Sequence, residues 1–332
     1  MRYSAFGLSL ASSHPIPGLP AATVNGDADV HIELGRRPAW FESARLARLR
    51  YTSPYHDADG NPMLTLGELD NGWLRLSFAD GTDFLIDRPG RSIWGAWPVP
   101  LTIDDVSSYL LGPVMGFIVR LRGRVCLHAS ALVVDGEAFA IIGFPGAGKS
   151  TTAGAFAAGG WPVLSDDVVP ISESGGGFKA HPGYPRLRLW PASVVALKQL
   201  AGGEPALSEA WGEERFHLHL AGAGFHFQAA PLPLATVYVL NARDAGLDAP
   251  VITSCTGSDA LMALVTHSFA STLLDRDMRA HDLATLGRLA DVVPVRAVTP
   301  QGSLEQLPAL VDAILADFRS LPRSNQPAAC HE

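Results

Sequence analysis

Gly143-Phe144-Pro145-Gly146-Ala147-Gly148-Lys149-Ser150 is the stretch from which the rest of the chain can be read. An apolar strand-like run, Glu137–Ile142, precedes it. A helix-forming run, Ser150–Ala158, follows and stops at Gly159-Gly160. The spacing G-x-x-x-x-G-K-S is that of a phosphate-cradling loop. Its glycines let successive backbone N–H groups turn inward, and the N-terminus of the next helix adds partial positive charge. In that pattern the lysine, here Lys149, reaches the β- and γ-phosphates, and the hydroxyl of Ser150 ligates Mg2+.

Working outward, the short run Pro162–Leu164 reads as the next strand, so strand, loop, helix and strand make a βαβ unit with its ligand site at the first loop. Ser165-Asp166-Asp167 follows directly. Two adjacent carboxylates at the C-terminal edge of a strand point different ways: one can face Mg2+ and the other a nucleophile. For phosphoryl transfer to a hydroxyl, a proton-accepting Asp and a metal-binding Asp suffice. On the other side of the loop, Val125–Val134 reads as a strand turning at Asp135-Gly136, with His128 inside Cys126-Leu127-His128-Ala129-Ser130. By position alone, a single histidine in an apolar run is a core residue more often than a functional one.

These three elements, in this order and spacing, resemble the HPr kinase/phosphorylase family, P-loop serine kinases of a sugar-transport phosphocarrier. The resemblance covers about residues 124–170. It implies that Asp166 is the proton acceptor, that Asp167 and Ser150 form the Mg2+ site, and that His128 neighbours the catalytic acid. Catalytic roles then fall on Asp166, His128 and Lys149. ATP phosphates fall to Gly143, Phe144, Pro145, Gly146, Ala147, Gly148, Lys149, Ser150 and Thr151. The chain has no counterpart of the family's glycine-bearing phosphorolysis signature. Tyr3–Leu10 (YSAFGLSL) and Tyr184–Pro191 (YPRLRLWP) look more like the HPr-kinase-like tailoring kinases of lasso-peptide biosynthesis, which implies a peptide serine as acceptor. The family's hexamers leave a homo-oligomer open. The same P-loop architecture resembles that of phosphoenolpyruvate carboxykinase.

The fold class expected is α/β: a P-loop domain of the HPr-kinase/PEP-carboxykinase type behind a smaller β-rich N-terminal domain. The boundaries expected are 1–100 for the β-rich domain, a candidate for holding the acceptor peptide; 101–123 for a linker helix; 124–320 for the P-loop domain; and 321–332 for a flexible tail. In the first part, Tyr3–Leu10, Val30–Leu34, Met63–Leu66, Trp73–Phe78 and Asp83–Ile86 read as strands, with a hairpin at Asp80-Gly81. Thr102, followed by Asp104 and Asp105, caps a helix over 102–121 that Pro113 should kink. Further strands are expected at Pro185–Leu189 and Thr236–Leu240. Further helices are expected at Ala192–Leu200, Ser258–Leu274, Asp282–Leu289 and Leu304–Arg319.

Arg186 and Arg188 alternate, so on a strand they share a face and could neutralise phosphate charge or hold a peptide carboxylate. His217 and His219 suggest metal with His226, but the interleaved Phe216, Leu218 and Phe225 favour alternating strand positions. Arg215 reads as a surface residue, and Trp73, Trp94 and Trp97 as packing aromatics.

Composition bounds the alternatives. The chain has 332 residues, 47% apolar and 17% charged, which excludes general disorder. A net charge of −8 with no basic run argues against nucleic acid and anionic membrane as partners. Cys126, Cys255 and Cys330 make neither a disulfide framework nor a zinc pattern. The N-terminal stretch is a poor signal peptide, so a cytoplasmic location is expected. The reading is an ATP-dependent kinase acting on a serine hydroxyl of a peptide or protein. The alternatives are a kinase of a small hydroxyl-bearing metabolite and a non-catalytic nucleotide-binding scaffold in peptide maturation.

Overall fold

The structure, a computed structural model, describes residues 1–23, 26–201, 207–210, 215–220 and 224–322. The expected tail lies almost wholly outside them. The chain forms two compact units. The first comprises Met1–Cys126, Ala210–Glu213 and Phe269–Asp282; the second comprises Leu127–Glu209, Glu214–Ser268 and Leu283–Glu332.

The first unit is built on an eight-stranded sheet. Its strands are β1 (Arg2–Ala5), β2 (Leu8–Ser12), β3 (Val30–Leu34), β4 (Leu46–Thr52), β5 (Leu64–Leu69), β6 (Leu74–Phe78), β7 (Asp83–Ile86) and β8 (Ser92–Ala96). The order is β1-β2-β3-β8-β7-β6-β5-β4. The run expected as one strand from Tyr3 is two, because Phe6 (φ +58°) and Gly7 (φ +69°) both take the left-handed conformation a tight hairpin needs. The β6–β7 hairpin turns at Asp80-Gly81 as expected. Strands β4 and β8 carry no clear period-2 signal in the sequence, which predicts neither. The expected kinked helix is α1 (Ile103–Tyr109), a π-helical turn over Leu110–Val114 that contains Pro113, and α2 (Met115–Leu121). Thr102 caps α1, its N–H donating to Asp105 Oδ2 at 2.6 Å. These helices belong to the first unit. Trp73 and Trp94 are half-buried at the surface instead of in the core: Trp73 lies 4.9 Å from the ring of Trp40, and Arg36 stacks over Trp94. Trp97, also half-buried, lines a cavity of about 470 Å3 with Ile16 and Ile103.

From Val125 onward the elements are β9 (Val125–Leu127), β10 (Ala129–Val134), β11 (Glu137–Ile142), α3 (Lys149–Ala158), β12 (Val163–Ser165), β13 (Val169–Ser174), β14 (Gly177–Ala180), β15 (Arg186–Leu189) and α4 (Pro191–Ala201). They continue with β16 (Leu207–Ala210), β17 (Arg215–His219), β18 (Leu232–Leu240), β19 (Val251–Cys255), α5 (Gly257–Thr266), α6 (Arg276–Val292), β20 (Val295–Thr299) and α7 (Leu307–Ser320). Nine strands form a mixed sheet ordered β12-β10-β11-β18-β14-β13-β9, with β20 beside β18 and β19 beyond it. A three-stranded sheet, β15-β17-β16, stands apart from it.

The β11–α3–β12 crossover is present, but β10 lies antiparallel between the two strands it joins. The strand parallel to β11 on its other side is β18. The long strand expected over Val125–Val134 breaks at His128, whose N–H donates to His267 O at 2.8 Å. The helix expected over Ser258–Leu274 ends at Thr266, where His267 closes it. The core holds Phe139 against Phe156, Tyr238 and Phe318, with ring centroids 5.3, 5.5 and 5.6 Å apart. This packing fixes β11 and α3, the two arms of the glycine loop, against α7. The structure is therefore mixed α/β, and among the described residues no helix is long and apolar enough to cross a membrane.

Candidate functional site

The glycine loop joins the C-terminal end of β11 to the first turn of α3, both rigidly buried. Gly148 precedes the helix at φ +103°, a conformation that L side chains rarely adopt. A Cβ on Gly143 would come within 2.7 Å of Leu240 O on β18, so only glycine fits between the loop and that strand. Lys149 is buried and donates to Gly143 O at 2.8 Å and Phe144 O at 3.4 Å, spanning the loop from the helix side. Phe144 and Pro145 stay exposed at the tip, and Ala147 packs on the core. Thr151, expected among the phosphate ligands, sends its hydroxyl to Ser193 in α4 at 2.7 Å, a buried contact between helices.

The acid pair follows β12. Asp166 is 5% exposed. Its Oδ1 accepts from Ser130 Oγ at 2.6 Å and from Ser150 Oγ at 3.0 Å. Its Oδ2 accepts from the backbone N–H of Arg188 at 3.1 Å. Burial, and next the charge of Asp167, push the Asp166 carboxyl up to about 6, against the pull of the three hydrogen bonds. Asp167 sits differently. Its backbone is left-handed at φ +64°, in a turn closed by Val168 N–H on Asp166 O at 2.8 Å. Such a conformation is costly for a side chain other than glycine and concentrates at functional sites. It turns Asp167 out, its side chain 28% exposed and 3.7 Å from Arg188 Nη1. The structure thus pairs the loop hydroxyl, Ser150, with Asp166; the expected pairing was with Asp167.

His128 is half-buried, and its backbone N–H donates to His267 O at 2.8 Å. The buried His267 ring lies 5.1 Å from the ring of Phe144 in the loop tip. Burial first, then the charges of Lys149 and His128, drive His267 down to about 4, so it is neutral at pH 7.

On the other side of the acids, β15 and β17 pair antiparallel, with Arg186 opposite His219 and Arg188 opposite His217. The two histidines are therefore alternating strand positions, as the interleaved apolar residues indicate. His226 is exposed and off that strand, and no group of three metal-ligating side chains occurs among the described residues. Arg215 opens β17.

Four residues of the site were not assigned roles from the sequence. Ser130 stands two residues after His128 in the run read as one strand from the sequence, a spacing that could have pointed to it. Tyr184 lies by the acids; burial and their charges raise its hydroxyl. Arg243 follows β18 at the strand edge where α/β sheets bind ligands. Its Nη1 is anchored on Gln301 O at 3.1 Å and Ser303 O at 3.2 Å, and its Nη2 lies 3.7 Å from where a Cβ on Gly148 would be. That buried Nη2 has no hydrogen-bond partner, so the guanidinium presents an unsatisfied donor beside the loop. His267 had no sequence signal, since a histidine closing a helix is common.

The donor set fits Mg2+. Ser150 Oγ and Asp166 Oδ1 are hard oxygen ligands 3.0 Å apart. Mg2+ typically takes one or two protein oxygens and fills its remaining positions with water and phosphate.

No family model matches the chain, and no curated protein matches it. Among solved structures, the chain is similar to the Hpr(Ser) kinase/phosphatase from Coxiella burnetii at 13% identity and a TM-score of 0.30, over 58% of this chain and 95% of that one.

Proposed function

We propose that the protein is an ATP-dependent kinase that transfers the γ-phosphoryl group to a serine hydroxyl of a peptide or protein. The observation that carries this reading is the joining of a glycine loop and its lysine, through the Ser150–Asp166 contact, to a second, outward-turned carboxylate. A protein that only bound nucleotide would have no use for that second acid.

In this reading the loop N–H groups and Lys149 hold the phosphates, with Arg243 beside them. Ser150 and Asp166 hold Mg2+, which when bound neutralises charge developing on the β- and γ-oxygens. The acceptor Oγ forms a bond to the γ-phosphorus while the bond from phosphorus to the β,γ-bridging oxygen breaks, and ADP departs. Asp167 takes the proton from the acceptor hydroxyl. The two acids therefore exchange the roles inferred from the sequence: Asp166 lies against the loop and is walled in by hydroxyls, whereas Asp167 has the open side. Ser130 fixes the Asp166 carboxylate in place. His267, which feels the charges of Lys149 and His128, tunes the potential at the loop. The narrower form, in which the acceptor is a lasso-type precursor peptide, rests on the look of Tyr3–Leu10 and Tyr184–Pro191.

The test is intact-mass measurement of serine-bearing peptides after incubation with the protein, ATP and Mg2+. A gain of one phosphoryl mass that vanishes with Lys149→Ala supports the kinase. ATP binding without any phosphorylated product, across peptides and free hydroxyl compounds alike, would leave a scaffold. Product on small hydroxyl compounds alone would make it a metabolite kinase.

A further inference from the structure

An arginine keeps its charge when it is buried, so it normally meets an acid there. Arg243 does not. Burial holds its guanidinium below the ordinary value, and among the described residues no carboxylate raises it again. Nη1 donates to Gln301 O and Ser303 O, whereas the buried Nη2 has no hydrogen-bond partner. Leaving a buried donor unmade costs more than a hydrogen bond gains on average.

The support for this side chain is firm. It joins the segment after β18 to the segment after β20. Asp244 N–H donates to Pro300 O at 2.9 Å, and Gln301 Nε2 donates to Asp248 O at 2.6 Å. A Cβ on Gly302 would come within 2.9 Å of Ala245 Cα, so the two segments lie in close contact. The fold thus fixes a cation in place and leaves one of its arms unbonded.

That arm lies at the glycine loop. Strands β11 and β18 run parallel, so the segment after Leu240 leaves the sheet at the same edge as the loop. It tracks the loop from end to end: Leu240 O crowds Gly143, and Arg243 Nη2 lies 3.7 Å from where a Cβ on Gly148 would be. Gly148 directly precedes α3. In this loop pattern the backbone N–H groups cradle the α- and β-phosphates. Asp166 and Asp167 follow β12, which lies beyond β10 on the other side of β11. The acids and Arg243 therefore bracket the loop from opposite sides. With the γ-phosphate facing the acids, the diphosphate that leaves faces Arg243.

We propose that Arg243 is a catalytic residue whose Nη2 donates to a non-bridging oxygen of the diphosphate that departs as ADP. The proposal deepens the kinase reading and rests on it for the direction of the nucleotide. When the bond from the γ-phosphorus to the β,γ-bridging oxygen breaks, its electron pair stays on ADP. A guanidinium already fixed beside that charge stabilises it without having to reorganise. Two rival partners for Nη2 are a γ-phosphate oxygen and a water shared with Gln301 Oε1, which is also buried without a partner.

The experiment titrates MgATP and MgADP into wild type, Arg243→Gln and Arg243→Lys by calorimetry. The Arg243 Nε–H signal is followed in the wild type and assigned with Arg243→Lys. The expected result is that Arg243→Gln weakens both nucleotides by the same factor, about ten-fold or more, as for a lost hydrogen bond to a charged group. Arg243→Lys, which keeps the charge but loses the fork, should retain part of both affinities, and MgADP should shift the wild-type signal. A loss confined to MgATP would put the contact on the γ-phosphate and overturn the proposal. Unchanged affinity for both nucleotides in the variants, or a wild-type signal indifferent to MgADP, would leave water as the partner and overturn it too. If Arg243→Gln does not fold, the lysine variant and the wild-type signal decide. Phosphoryl transfer by Arg243→Gln at saturating MgATP should fall by about 10²–10³, the range for one preorganised donor. Binding that depends on Arg243, without transfer to any acceptor, would keep the phosphate contact and remove the kinase.

Discussion

Two buried carboxylates, one in each unit, are held in opposite ways. Asp83 in the first unit is 3% exposed, and Arg75 grips it through Nε and Nη2 at 2.9 and 3.0 Å. Arg37 adds a bond at 2.7 Å, and Ser77 Oγ another at 2.7 Å. Asp166 in the second unit is nearly as buried, yet its partners are two hydroxyls and one amide. A carboxylate with a guanidinium fork is electrically finished and serves the fold. A buried carboxylate held only by neutral donors keeps its charge penalty, which a cation relieves. In the proposed reading the contrast separates a structural from a metal-holding acid in one molecule.

The largest expected effect is at the outward acid. Asp167→Asn should lower phosphoryl transfer by about 10²–10⁴, the range for a general base, while MgATP affinity stays within a few-fold. Single-turnover transfer and calorimetric titration together check it. Next is the structural acid. Asp83→Asn leaves two guanidinium groups facing a neutral amide and should cost about 2–4 kcal/mol of stability, less than for a fully buried pair because both arginines are partly exposed. Denaturant unfolding measures it, and the transfer rate of the folded fraction should not change. If Asp83→Asn cost nothing while Asp166→Asn unfolded the protein, the contrast would be reversed.

A smaller effect is expected from Ser130→Ala. Losing one hydrogen bond to a charged group is worth about 1.5–3 kcal/mol, seen as a roughly ten- to hundred-fold fall in kcat with KM for the peptide little changed. The smallest is in pH dependence. His217 is lowered from 6.5 to about 4 in the folded chain, so the unfolded chain binds more protons between those values. Stability from this group is therefore present above about 6.5 and lost as pH falls toward 4. Asp166, raised from 3.8 to about 6, works in the opposite sense, costing stability as pH rises through that interval. The measurement is thus the difference between wild type and His217→Gln, which should flatten the acid-side slope.

The strand, glycine loop and helix were legible because they are local. The glycines, Lys149 and Ser150 are contiguous, and a strand and a helix flank them in the chain itself. The acid pair was legible for a similar reason, as two carboxylates straight after a strand. Which acid lies against the loop and which turns outward was not legible: that depends on the backbone at Asp167 turning left-handed, and nothing in Ser165-Asp166-Asp167-Val168 announces it. The strand order was also hidden, since β10 comes between β11 and β12 only through long-range pairing. Strand β4 escaped because Leu46–Thr52 is mostly exposed on both faces and lacks the alternation of a half-buried strand. Arg243 and His267 reach the loop from 94 and 118 residues beyond Lys149, a proximity that no spacing rule encodes.

The measurement that bears most directly on the account is a side-by-side comparison of Asp166→Asn and Asp167→Asn, each assayed for Mg2+-dependent ATP binding and for phosphoryl transfer to a serine peptide. The division of labour proposed here predicts that Asp166→Asn loses the Mg2+ dependence of binding and, with it, transfer. Asp167→Asn should keep Mg2+-dependent binding and lose transfer alone. The opposite pattern, with Asp167→Asn losing Mg2+-dependent binding and Asp166→Asn losing transfer alone, would contradict it and restore the roles first inferred from the sequence.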